Sequence, residues 1–502
     1  MSPALLFSFV IGYFVLLLIV AYFTSRNSNN DSFFIGNKNS NWMLVAFGMI
    51  GTSLSGVTFV SVPGAVGKPL GTGGFEAFSY FQIVIGYVIG YVVIAFVLLP
   101  LYYRLNLTSI YTYLIKRLGF VSYKTGASFF ILSRTLGATA RLYLVVAILQ
   151  DAILASFGVP FWVTTAVILF MILLYTFEGG VKTIVWTDTL QTSCMIIGLI
   201  ICVIYILRTL NLDFGEGVSS LTESGFTRMF VFDPNSRLFF LKQILAGAFI
   251  TITMTGMDQE MMQKNISVRK LGDSQKNMMT FAVIQALVVL LFLFLGGLLY
   301  LFAAQNAVAA TGDKLFPAVA LQYMPPLISV VFIIALISAL FPSADGAITA
   351  LTSSFSIDLL GMKRREDWDE KKKMRVRRIV HLSFAGIFLL LVMVFKWINN
   401  PSMIGVILKV AAYTYGPLLG LFAFGILTTR QVKDRIVPYI CFAAPIICYI
   451  IDKFQSDIFG HYEVGLELLI INGLLTFIGL YIISRPQDIE PEVERILSDG
   501  NR

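Results

Sequence analysis

Gly48-Met-Ile-Gly51-Thr-Ser53-Leu54-Ser-Gly56-Val57-Thr58-Phe-Val-Ser61-Val-Pro63-Gly64 sits inside a stretch, 41–66, that is otherwise long and apolar enough to cross a bilayer. Gly48, Gly51, Ser53, Ser55, Gly56, Ser61, Pro63 and Gly64 are small, polar or helix-breaking. A helix that faces lipid gains nothing from them. Unwound backbone at membrane depth is tolerated only where it is buried in protein or lines a cavity. In carriers such a break offers carbonyls to a cation and a half-helix N-terminus to an anion. Close helix packing through small residues is the other reading, and this stretch alone leaves the two open.

The rest of the chain sets the context. Of its 502 residues 57% are hydrophobic and 13% charged, with a mean hydropathy of +0.81. A soluble protein carries roughly a quarter charged residues. The apolar runs predict thirteen spans, at 3–23, 41–66, 74–103, 120–152, 158–178, 184–208, 238–259, 276–304, 323–360, 378–398, 402–428, 435–452 and 464–484. The ninth includes an interfacial turn around Pro325-Pro326. The first run, Pro3 to Phe23, has neither a basic leader nor a small-residue cleavage site and reads as a retained helix. Cys194, Cys202, Cys441 and Cys448 all fall in apolar runs and are expected as buried thiols.

An odd number of spans puts the termini on opposite sides. With the N-terminus outside, the cytoplasmic segments hold 26 basic residues, among them Arg26, Lys38 and Lys264, and the outer segments hold 7, Lys68 included. The positive-inside rule therefore expects the N-terminus outside and the C-terminus in the cytoplasm of a bacterial-type inner membrane. The net charge of +8 is a topology signal and gives no reason to invoke nucleic acid. Arg134, Arg141, Lys242 and Lys409 remain within or beside apolar runs. A cation at bilayer centre costs roughly 2.5–3.5 kcal/mol on insertion scales, so such residues face a cavity or a partner. Arg134 and Arg141 are seven apart and share a helix face.

Four further segments carry an ordered pattern. Pro100-Leu-Tyr-Tyr-Arg-Leu-Asn-Leu-Thr-Ser-Ile-Tyr-Thr-Tyr-Leu-Ile-Lys-Arg-Leu-Gly119 closes the third span. Gly-Gly-Val-Lys-Thr-Ile-Val-Trp-Thr-Asp-Thr-Leu-Gln (179–191) opens the sixth. Gly256-Met-Asp-Gln-Glu-Met-Met-Gln-Lys264 closes the seventh, and Tyr415-Gly-Pro-Leu-Leu-Gly-Leu-Phe422 lies in the eleventh. Together they resemble the sodium:solute symporter family across all thirteen spans. The resemblance implies an all-α polytopic membrane protein with a LeuT-like 5+5 inverted repeat. The chain then divides into a peripheral first helix and loop (1–40), the first repeat (41–210), the second (211–430), two peripheral helices (431–484) and a cytoplasmic tail (485–502). Spans two and seven are the expected broken pair.

The resemblance also implies a sodium site. It places ligands at Gly51 and Leu54 in the second span and at Ala339, Pro342 and Ser343 in the ninth. The family usually has two adjacent hydroxyl residues where this chain has Pro342-Ser343. Proline has no N–H, so the Ser338 carbonyl loses its helical donor, and that carbonyl or Asp345 is expected to compensate. Asp188 matches the aspartate that the family places near the cation's cytoplasmic exit, and a helix cap is its other reading. Substrate positions by resemblance are Ser53, Val57, Thr58, Val84, Tyr87, Arg141, Thr255 and Lys409. Val84 and Lys409 stand where sugar-transporting relatives have a glutamate and an amide. That exchange predicts an anionic cargo, closest to the monocarboxylate, vitamin, iodide and sialic acid branches. Pairing of Lys409 with Asp345 is the competing reading.

The expected activity is sodium-coupled symport of a small anionic solute by alternating access, with no obligate protein partner. Proton coupling and a neutral solute such as a sugar are the alternatives. His381 and His461 are the only histidines, and there is no HExxH, nucleophile elbow or phosphate loop to support an enzyme. Nothing after Arg485 is large enough to signal, and no repeated selectivity filter points to a channel.

Overall fold

The computed structural model describes residues 3–25, 40–67, 76–176, 180–398 and 403–486. Arg26, Lys38, Lys68, Gly179 and the tail after residue 486 lie outside the described residues. The principal helices are α1 (Pro3–Ser25), α2 (Trp42–Ser53), α3 (Gly56–Gly64), α4 (Tyr80–Arg104), α5 (Phe120–Phe157), α6 (Phe161–Thr176), α7 (Gly180–Thr209), α8 (Phe240–Gly256), α9 (Gln259–Ile266), α10 (Leu271–Gln305), α11 (Pro326–Leu359), α12 (Glu370–Ile398), α13 (Met403–Thr414), α14 (Gly416–Leu427), α15 (Val437–Lys453) and α16 (Leu468–Ile483).

Among the described residues, eight helices are long and apolar enough to span a membrane, or eleven when each bent pair counts as one. The shorter apolar helices α6 and α16 fall on the two remaining expected spans. The bent pairs are α2/α3 (56°), α8/α9 (65°) and α13/α14 (46°). The first two are the broken pair expected from the sequence. The third lies at Gly416-Pro417, where Pro417 sits in the first turn of the new helix and needs no N–H donor there.

Local chemistry explains each break. Leu54 and Ser55 leave the helical region, and Gly56 restarts the helix. Asp258 caps α9 by accepting from the Glu260 N–H (2.9 Å) and the Met261 N–H (3.3 Å). The carbonyls freed at the end of α8 are taken by tyrosines of the 100–119 segment. The Tyr102 hydroxyl donates to the Gly256 carbonyl (2.7 Å) and the Tyr111 hydroxyl to the Met257 carbonyl (2.8 Å). Gln259 closes the same joint by donating to the Thr108 carbonyl and accepting from the Ile110 N–H. Two sequence motifs thus meet at one helix break.

Burial ranks the helices. In α11, 78% of the apolar window is buried inside the protein, against 28% in α1 and 22% in α15. So α11 is central, and α1 and α15 present leucine, isoleucine and aromatic side chains outward, as lipid requires. Glycines bring α4 and α8 together. A Cβ on Gly86 would meet the Ile244 carbonyl and the Ala248 nitrogen (2.8 Å), and one on Gly90 would meet Thr251 (2.7 Å). Pro325 and Pro326 start α11 after a short helical turn. Cys202, Cys441 and Cys448 are buried, whereas Cys194 is partly exposed.

Candidate functional site

A cavity of ≈ 90 Å³ lies at the α2/α3 break, between α4, α5, α8, α10 and α13. Of the eight predicted substrate positions, Ser53, Val57, Thr58, Tyr87, Arg141 and Thr255 line it. Tyr80, Tyr91, Gln285 and Arg134 join them, and none of these four was on the predicted list. Tyr80, Tyr87 and Tyr91 form one stripe of α4 at helical spacing. The Tyr91 hydroxyl donates to Gln285 Oε1 (2.5 Å), and Gln285 Nε2 donates to Ser53 Oγ (3.0 Å). That chain joins α4, α10 and the broken helix around the cavity.

Val84 is buried on the tyrosine stripe but is not part of the wall. Lys409 is not in the cavity. Its neighbour Leu408 lines the wall, and a residue one step on is turned about 100° around the helix axis. Lys409 Nζ instead lies 2.7 Å from Asp452 Oδ2, with 60% of its side chain exposed. The expected contact of Lys409 with the substrate, and the alternative pairing with Asp345, both give way to this pair.

Arg134 and Arg141 do face one cavity, as their spacing predicts. Their surroundings differ. Arg134 pairs with Glu260 and lies 3.8 Å from Asp258. Arg141 also lines the cavity and has no ion pair or hydrogen bond among the described residues.

Of the predicted cation positions, Leu54 lines the same cavity, and Gly51 and Pro342 lie against each other. A Cβ on Gly51 would lie 3.3 Å from the Pro342 ring, so the end of α2 rests on α11 at the expected pair of positions. The last carbonyls of α2, Gly51 among them, have no acceptor role left inside the helix. Leu54, Ala339, Pro342 and Ser343 are all buried there. Ser343 Oγ donates to the Leu340 carbonyl (2.8 Å), which leaves its lone pairs for a cation. Oxygen donors of this kind suit a hard cation such as sodium. Ser338, whose carbonyl Pro342 deprives of a donor, turns its hydroxyl to Tyr13 (2.6 Å).

Asp345 is fully buried and accepts from the Tyr175 hydroxyl (2.7 Å) and from the Gly346 N–H. Asp188 is buried in the middle of α7, not at its N-terminus, so it caps nothing. It accepts from Lys264 Nζ at 2.6 Å. Lys264 is the clearest departure from the sequence reading, which counted it among cytoplasmic charges. It is buried in α9, bonded to Asp188 and Thr52 and 3.6 Å from Glu260. Glu260 and Lys264 both sit in the quoted 256–264 motif, whose charges signalled a polar role without saying where their partners lay.

A bundle of apolar helices, with broken helices enclosing a polar cavity, defines a multi-pass membrane carrier. The model of the sodium:solute symporter family matches residues 33–434. The chain belongs to the sodium:solute symporter family. It is 24% identical to the sodium/sialic acid symporter SiaT of Proteus mirabilis, over 94% of each chain. It is 24% identical to the sodium-coupled monocarboxylate transporter 1 of Mus musculus, over 81% of this chain and 66% of that one. A substrate-bound, outward-open Na+-coupled sialic acid symporter shares its fold, with a TM-score of 0.79 at 20% identity over 95% of this chain and 97% of that one.

Proposed function

We propose that the chain performs sodium-coupled symport of a small organic anion by alternating access, with the anion held in the cavity by Arg141. The observation that carries the anionic cargo is Arg141 at the cavity wall without an ion pair among the described residues. Arg141 is half-buried and has no ion pair, and a carboxylate in the cavity supplies that partner in bidentate geometry. Tyr80, Tyr87, Thr58 and Thr255 supply hydroxyls for the rest of the solute. The anionic substrates named for the sialic acid and monocarboxylate relatives support the same class. Sodium is assigned to Gly51, Leu54, Ala339, Pro342 and Ser343, with Asp345 and Asp188 on its path.

The division into repeats 41–210 and 211–430, the outside N-terminus and the bacterial-type inner membrane belong to the same reading. It is supported by the excess of basic residues in one set of loops. A tenfold sodium gradient supplies about 1.4 kcal/mol. One sodium with one monoanion is electroneutral and draws nothing from the membrane potential.

The test is uptake by proteoliposomes under an inward sodium gradient at clamped pH, over sialic acid, lactate, pantothenate and glucose. Uptake of a carboxylate, reduced at least tenfold by Arg141→Gln, is expected. Preferred uptake of glucose, or carboxylate uptake unchanged by R141Q, overturns the anionic reading. Uptake driven by a proton gradient and indifferent to sodium overturns the coupling ion.

A further inference from the structure

The pocket beside the α2/α3 break already contains a cation, the ammonium of Lys264. It donates to Asp188 Oδ2 at 2.6 Å and to the Thr52 hydroxyl, and lies 3.6 Å from Glu260 Oε1. Thr52 belongs to the last turn of α2, so the ammonium sits at the negative end of that helix. Asp188, Glu260, Asp345 and Asp258 are each at most 2% exposed, and Arg134 and Lys264 are the two cations among them. Carboxyl groups outnumber these cations four to two. Two buried oxygens in this group, Asp188 Oδ1 and Glu260 Oε1, accept no hydrogen bond. Among the described residues no three acidic, histidine or cysteine side chains converge as metal ligands. Asp188 and Glu260 flank an ammonium.

We propose that Lys264 is a tethered monovalent cation that fills one cation position of this pocket, so that the position takes sodium from solution only when the ammonium is removed. An ammonium and a sodium ion carry the same charge and seek the same oxygen acceptors. A tethered cation crosses the membrane with the protein and not with the solute. It stabilises the anionic pocket but draws nothing from the sodium gradient. Lys264 thereby sets how many sodium ions accompany each solute. The inference goes beyond sodium-coupled symport and stands apart from it.

The experiment is thermal unfolding of the purified full-length chain in detergent, as sodium chloride replaces choline chloride at constant ionic strength. Lys264→Gln keeps a polar side chain and removes the charge. K264Q is expected to gain a sodium-dependent rise in melting temperature beyond that of the wild type, by about 2 °C per tenfold increase in sodium. Lys264→Arg keeps the charge and should follow the wild type. The double variant Lys264→Gln, Asp188→Asn removes a charge of each sign and should lose the gain. K264Q recovered only in sodium supports the proposal. K264Q with the wild-type sodium response overturns it, as does K264Q that cannot be recovered in either salt. A wild type indifferent to sodium, with K264Q responsive, supports the tethered cation and overturns sodium coupling in the native chain. A responsive wild type with an identical K264Q does the reverse.

Discussion

Replacing Glu260 by Gln should be among the most destabilising isosteric changes in the molecule. Glu260 is 2% exposed and stands between Arg134 on α5 and Lys264 one turn along its own helix. Removing one partner of a buried ion pair costs about 3–5 kcal/mol, because the other charge stays buried without compensation. Arg134 keeps Asp258 at 3.8 Å and Lys264 keeps Asp188 at 2.6 Å, so E260Q belongs at the lower end, about 3 kcal/mol. The control is the pair of Lys409 and Asp452. It is as short, at 2.7 Å, but 60% of the lysine side chain is exposed. Exposed pairs contribute about 0–1 kcal/mol, so Lys409→Met should change stability by less than that. Burial, not distance, decides between the two. Unfolding of the purified protein in mixed micelles, read by tryptophan fluorescence, measures both. A double-mutant cycle over Arg134→Met and Glu260→Met adds the coupling, expected at about 1–3 kcal/mol. An E260Q variant within about 0.5 kcal/mol of wild type, or additive single changes, would refute the reasoning.

Two other perturbations test the packing and the outer loop. Gly86→Ala should cost about 1–3 kcal/mol and lower the yield of folded protein. Its Cβ would press on backbone atoms of α8, which have no rotamer through which to retreat. A G86A protein with wild-type yield and melting temperature would show that α4 and α8 separate freely. Asp313 lies in the loop between α10 and α11 and accepts from the Met403 N–H at the start of α13 (3.2 Å). Burial pushes its carboxyl up to about 6. The folded chain therefore holds this proton more tightly than the unfolded chain, whose carboxyl titrates near 4. Between those values the contribution of Asp313 to stability falls as pH rises. Asp313→Asn should flatten that part of the pH–stability profile and raise the melting temperature at pH 7.5 but not at pH 4. An identical slope in D313N would assign the pH dependence elsewhere.

The breaks were legible because they are local. The first break falls at Leu54 and Ser55, next to Gly56, inside the run of small and polar residues that marked it in the sequence. The shared face of Arg134 and Arg141 followed from helical periodicity in the same way. Lys409 failed for a reason of the same scale. An alignment at low identity places a residue to within a position or so, and one position on a helix turns cavity into surface, as Leu408 and Lys409 demonstrate. Lys264 failed for a different reason. The 256–264 motif ends an apolar run in polar residues, which locally reads as the cytoplasmic exit of a span. Its burial depends on Asp188, 76 residues away, and its neighbour Glu260 depends on Arg134, 126 residues away. Such a polar helix is stable at depth only because distant helices bring complementary charges, and periodicity carries no information about them.

Arg134 ties the two pockets into one electrostatic system. It lines the cavity beside Arg141 and also holds Glu260, whose other oxygen faces Lys264. On the proposed function, an anion that enters the cavity adds negative charge beside a cluster in which carboxylates already outnumber cations. Its binding is then favourable in proportion to how well Arg141 compensates it and to whether a sodium ion has entered nearby. Linkage makes the effect reciprocal, so the anion must tighten sodium by the factor by which sodium tightens the anion. Low dielectric keeps that interaction strong across the thickness of a few side chains. A neutral solute would gain none of it. On the proposed function, an arginine without an ion pair beside a carboxyl-rich cation pocket is the arrangement that makes co-transport of anion and cation cheaper than transport of either alone.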